Sequence, residues 1–189
     1  GVRIGIPSDR LKTIDVEGGH NAQILDGFTN IYLLNVWGDG SIIRASMMSL
    51  LDSTTPSLKL RNSGGQMYVK TNMPVTGEST FTGGSQSWVE TPSFTFIHVG
   101  NSFNYINLGN EVGTQLNIKG DIDLRGTYDG SVWDGAELTV TGTITGTIEI
   151  GNNSTVNAPS CDNVTSRVYG NGDSGNGTCN AGPQIVDVD

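Results

Sequence analysis

The chain has 189 residues, 27 of them glycine, with 35% hydrophobic residues and a formal net charge of −9. That length holds one large β domain or two small ones, and glycine without a collagen period, in a chain that keeps its aromatics, describes a folded protein rich in turns. From Thr127 onward only Arg167 is basic, against Asp129, Asp134, Glu137, Glu149, Asp162, Asp173, Asp187 and Asp189; this excludes the basic footprint of a nucleic-acid binder and suits solubility or cation binding.

Taken in chain order, residues 2–6 alternate and read as a strand carrying Val2, Ile4 and Ile6, and residues 12–16 read as a second. Two apolar runs within 22–36 are split by Asp26-Gly27, which predicts a hairpin. Residues 41–52 admit two readings. Ile43, Met47, Leu50 and Leu51 follow a helical period with Ser41 as N-cap, whereas Ile43, Ala45, Met47 and Ser49 alternate as in a strand. The expectation is one short helix at most, covering an open sheet edge or the mouth of a barrel. Residues 57–61, 66–70 and 79–82 are short strands between glycine turns, and the block 86–108 with Trp88, Phe94, Phe96, Phe103 and Tyr105 is the most aromatic sheet. A seam at 83–85 divides an N-terminal β region, 1–84, from a Thr/Gly-rich β region with a C-terminal cysteine loop, 85–189, or the two run on as one domain.

The tract 111–160 carries the plainest pattern. Thr-Gly-Thr-Ile occurs at 141–144 and again at 145–148, and Leu138, Val140, Ile144, Ile148 and Ile150 all fall on even positions. That is the period of a strand with one buried face. Threonine fills the outward positions, and glycine marks the corners. The chain is therefore expected to be all-β, its short strands forming either a sandwich or a solenoid-like stack in which each rung is covered by its neighbours.

The stretch 57–70, SLKLRNSGGQMYVK, followed by 75–84, VTGESTFTGG, resembles the shaft and linker repeats of bacteriophage tail fibres and spikes, and the stalks of pilus-tip adhesins. The tract 111–160 is similar in style to β-solenoid repeats of the bactofilin type and of surface adhesins. A trimeric or filamentous state is what that resemblance implies. The long apolar helix of a pilin is missing from the sequence.

Cys161 and Cys179 flank a polar, glycine-rich segment. A disulfide there would contribute about 3 kcal/mol and place assembly in an oxidising compartment; the rival is two free thiols, with no second ligand pair to suggest zinc. Asp121 with Asp123, and Asp129 with Asp134 around Trp133, have the residue types of a glycosidase site or a glycan contact, yet acidic residues in glycine turns usually hydrogen-bond their own backbone. His20 lies in a turn, His98 reads as an outward-facing strand residue, and no Gly-x-Ser-x-Gly elbow accompanies either. Asn171 and Asp173 open something like a calcium loop that lacks its closing glutamate, Gly182 standing in that place. Sequons at Asn152, Asn153, Asn163 and Asn176 mark accessibility at most. No apolar run reaches membrane-spanning length, no leader is visible, and the start at Gly1 suggests a processed protein or an excised fragment.

The expectation for function is a non-catalytic, extracellular structural subunit of a fibre, spike or filament on a virion or cell surface. It would use no cofactor unless calcium, form a homo-oligomer, and contact a glycan or receptor; it would neither bind nucleic acid nor insert into a membrane. A surface adhesin and a small polysaccharide-active enzyme are the alternatives. Because thin rungs leave open edges, the terminal segments 2–6 and 184–188, the latter with Ile185, Val186 and Val188, are the expected strands for exchange between subunits.

Overall fold

The computed structural model describes residues 3–7, 9–25, 30–47, 58–95, 97–100, 113–124, 130–133 and 135–189. Strands, numbered in chain order, are dealt almost alternately to two sheets. The first stacks β1 (Thr13–Val16), β3 (Leu33–Trp37), β5 (Lys59–Ser63), β7 (Ser79–Thr82), β9 (Ile97–Val99), β11 (Gly130–Val132), β14 (Ile148–Ile150) and β16 (Val164–Ser166). The second stacks β2 (Asn21–Ile24), β4 (Ile42–Met47), β6 (Gln66–Thr71), β8 (Gln86–Phe94), β10 (Gln115–Asp123), β12 (Glu137–Val140), β15 (Thr155–Ala158) and β17 (Thr178–Ala181), with β13 (Ile144–Thr145) against the far end of β10. Pairing between these strands is parallel throughout, rung upon rung. This is an all-β solenoid, and both sheets pass without interruption across residues 83–85.

Period-2 alternation builds it. Leu34, Leu60, Ile97 and Ile148 face inward from the first sheet, and Ile43, Met67, Leu116 and Leu138 from the second, all essentially inaccessible. The core is a narrow column between two ladders, so each side chain is covered by the rung above, the rung below and the sheet opposite. Asn62 also points inward. Its Nδ2 donates to the Gly65 and Gln86 carbonyls and to Ser87 Oγ, and its Oδ1 accepts from Gly65 N–H, so a polar stitch ties the two sheets at no cost in unsatisfied groups.

Six strands of the second sheet, β4 to β15 in the stack, begin at the same corner. A left-handed residue (Gly40, Gly64, Gly84, Gly113, Gly135, then Asn153 with φ 55°) precedes a small one (Ser41, Gly65, Ser85, Thr114, Ala136, Ser154). The hydroxyls of Ser41, Thr114 and Ser154 accept the N–H of Gly19, Gly84 and Gly135 in the rung before. At Ser85 the ladder skips a step: Gly64 N–H goes to the Thr82 carbonyl, and the buried Ser85 Oγ has no hydrogen-bond partner among the described residues. Asn153 is the one described non-glycine at positive φ. Asn153→Val should therefore lower stability by about 1–2 kcal/mol and Asn153→Gly by far less; equal urea midpoints for the two variants would refute this corner reading.

Partway up, a third side forms. Thr91 and Pro92 of β8 oppose Gly120 of β10 in a bulge, where a Cβ on Gly120 would run into the Thr91 carbonyl. Beyond it the chain turns, bringing Phe94 beside Val75 and Ile122 beside Ile144.

Four expectations are corrected. Residues 42–47 are strand, not helix, with Ile43 and Ala45 buried on alternate positions; residues beyond 47 lie outside the described set. The runs flanking Asp26-Gly27 do not form a hairpin: β2 pairs with β4, while β3 pairs with β1 and β5. Residues 3–7 are irregular, with Ile4 74% and Ile6 38% exposed, and Val2 is outside the described residues. Residues 184–188 are not a strand either.

Candidate functional site on the outer face of the second sheet

Counting three residues on from each corner puts Arg44, Tyr68, Trp88, Asn117, Thr139, Asn157 and Asn180 in one outward column. Its lower half is aromatic and cationic. The Arg44 guanidinium lies 4.7 Å from the Tyr68 ring centre, and Tyr68 stacks on Trp88 at 4.7 Å with 3° between the planes. The spacing is that of neighbouring strands, so the parallel ladder itself imposes the stack. Its upper half is a chain of amides: Asn157 Nδ2 donates to Glu137 Oε1 (2.7 Å), and Asn180 Nδ2 to Asn157 Oδ1 (2.8 Å). Alongside runs an ionic column, with Lys119 Nζ 3.2 Å from Glu90 Oε2 and Lys70 Nζ 3.6 Å from Asp189 Oδ1.

A half-open cleft of about 330 Å³ sits at the cationic end, between Gln23, Arg44, Tyr68 and Lys70 on one side and Val188 and Asp189 on the other. The C-terminal segment thus returns to the third rung of its own solenoid. Val186 and Val188 are 8% and 1% exposed, whereas Ile185 is 94% exposed.

The residues singled out from sequence are placed as follows. Cys161 and Cys179 form a disulfide with a Cα–Cα distance of 6.0 Å, closing the last rung. Trp133 is half-buried beneath Arg167, whose guanidinium lies 3.7 Å from the ring centre, with the His98 ring edge-on at 5.5 Å; Tyr169 flanks Arg167 on the cysteine loop. Asp129 and Asp134 lie outside the described residues, as do Phe96, Phe103 and Tyr105. Asp121 and Asp123 flank buried Ile122 and share the outward side, and Asp121 Oδ1 accepts Thr143 N–H at 2.7 Å. Asn171 and Asp173 bond to each other across a tight turn, Nδ2 to Oδ2 at 2.6 Å; among the described residues no group of three or more acidic, histidine or cysteine side chains stands together as a metal cage.

His98 needs a correction. Its register is outward, with Thr80 and Ser131 as neighbours, but it is fully buried and its Nδ1 is 2.7 Å from Ser131 Oγ, itself 9% exposed. Of the sequons, Asn163 Nδ2 donates to the Ile144 carbonyl (2.6 Å), and Asn152, Asn153 and Asn176 bond one another at the corner.

Sequence reasoning missed the Arg44–Tyr68–Trp88 column. Aligning the chain on its Gly-Ser, Gly-Gly and Gly-Thr corners would have found it, since the three side chains sit at one offset. No protein-family model matches the chain, and no curated protein or solved structure shows significant similarity to it.

Proposed function

We propose that the chain is a non-catalytic structural subunit of an extracellular fibre, spike or filament, presented on a virion or cell surface and assembled as a homo-oligomer. The observation that carries this reading is the uninterrupted parallel stack. Both sheets climb one axis through eight successive strands, and the outer face of the second carries side-chain ladders of Asn, Thr and paired charges. Such a stack is a stiff rod whose length grows by about 4.8 Å per rung, and its polar flanks resist lateral aggregation. The disulfide supports assembly in an oxidising compartment.

Contact with a glycan or receptor belongs to the same reading. Sugar stacking needs an open aromatic face. Tyr68 lies between Arg44 and Trp88, Trp88 between Tyr68 and the neighbouring Asn117, and Trp133 carries Arg167. Trp37, 49% exposed on the first sheet, is the better-placed ring.

Negative-stain micrographs and sedimentation velocity of the oxidised protein should reveal rods or higher oligomers at rising concentration. Compact monomers throughout would overturn the fibre reading. A glycan-binding screen with Trp37→Ala should lose any signal the native chain gives; unchanged binding would remove Trp37 from the contact.

A further inference from the structure

Resting on the fibre reading, we infer that the cleft of Arg44, Tyr68 and Lys70 is an acceptor site for an extended peptide of alternating valine and aspartate, and that its partner in assembly is the Val-Asp-Val-Asp tail of a second copy.

The chain's own tail displays the recognition chemistry. Val186 and Val188 turn inward and are buried, while Ile185, Asp187 and Asp189 turn outward. Val188 enters the cleft beside Tyr68, and the Asp189 carboxylate stands 3.6 Å from Lys70 Nζ with Arg44 next to it. Basic rim and apolar floor thus meet an acidic, apolar strand.

This tail is stretched and lightly held. β17 and β6 are five strand steps apart, about 24 Å along the axis. The seven residue-to-residue steps from Gly182 to Asp189 reach about 25 Å when fully extended. The segment therefore runs nearly straight along the solenoid axis, across the strands rather than beside them. Gly182 N–H bonds the Ala158 carbonyl, and past it the segment makes no backbone–backbone hydrogen bond among the described residues. The Lys70–Asp189 pair is exposed, so it orients more than it binds. What seats the tail is two valines.

The cleft, about 330 Å³, extends along Gln23, Ile24 and the 68%-exposed Leu25 just after β2. A segment so lightly held can leave it and be replaced by the same segment of a second copy. Exchange of an identical segment replaces like contacts with like, which is the low-cost route to self-association.

The test uses the full chain carrying Val186→Asp and Val188→Asp, whose own tail cannot seat, and a synthetic peptide of residues 183–189 as the probe. Titration should show saturable binding of one peptide per chain. It should weaken by about tenfold or more when the peptide carries Val188→Asp, and a few-fold when the protein carries Lys70→Glu. Absence of binding overturns the acceptor site. For exchange, the doubly substituted chain Lys70→Cys, Asp189→Cys should crosslink between chains at high concentration; crosslinks confined to single chains at every concentration overturn the second-copy assignment. If the Val186→Asp, Val188→Asp chain still forms fibres, this inference falls and the fibre reading stands. If the native chain forms none, both fall.

Discussion

Phe94→Ala is expected to cost about 3–5 kcal/mol and to split unfolding into two transitions. Phe94 is fully buried at the end of β8, where the chain turns on to the third side. Its ring meets Phe81 edge-on at 6.3 Å and 71°, and its backbone neighbours are Val75 and Ile122. Both rings are among the largest fully buried side chains, and β7 and β8 lie midway along their sheets. In a stack where each rung touches only its neighbours, stability is a sum of rung and interface terms. A deep cavity at a middle interface therefore uncouples the rungs below from the rungs above, rather than lowering all of them together. Calorimetry should resolve two peaks, and hydrogen exchange should show the two halves opening separately. Phe94→Leu, which keeps more of the volume, should retain a single transition. One unshifted cooperative peak for Phe94→Ala would refute the nearest-neighbour account.

Opening the Cys161–Cys179 bond should strip the last rung from the rod. The bond spans 18 residues, which corresponds to about 3 kcal/mol of loop constraint. Little apolar burial holds that rung. β16 is mostly exposed, and of its inward groups Val164 and Cys179 are only partly buried against the core. Reduction, or Cys161→Ser, should abolish amide protection in β16 and β17 while leaving β4 to β12 protected. Arg167 would then leave the Trp133 ring, and tryptophan emission should change with it. Because the tail departs from β17, the cleft at Lys70 should become free in the same step. Denatured, unreduced protein should titrate no free thiol. Undiminished protection of β17 after reduction would refute this view of the disulfide as the closing clamp.

Much of the rung was legible in the chain itself. Alternation at Leu138, Val140, Ile144, Ile148 and Ile150 marked residues that are all buried, and the tandem Thr-Gly-Thr-Ile marked short strands meeting at corners. The same alternation lay within residues 41–47, where Ile43 and Ala45 are buried, although the helical period there read just as well because a short apolar run satisfies both. Pairing direction was not legible. A period of two is common to parallel and antiparallel strands, so Asp26-Gly27 suggested a hairpin where consecutive strands in fact enter opposite sheets.

The amino-acid sequence by itself determined an all-β chain, its inward residues, its glycine corners and the cysteine pair, because these depend on neighbours a few positions apart. Tertiary structure decided which of the many glycine pairs are true corners, and so which residues share a column. Partners in adjacent rungs lie from 16 residues apart (Ile148 and Val164) to 33 (His98 and Ser131), so no fixed repeat announces that Arg44, Tyr68 and Trp88 will stack. Nor does any local signal say that His98, outward by register, is enclosed beside Ser131, or that the C-terminal segment folds back across five strand steps to bring Val188 and Asp189 to Tyr68 and Lys70. Burial is set by what crosses a face from afar, and only the folded chain specifies that.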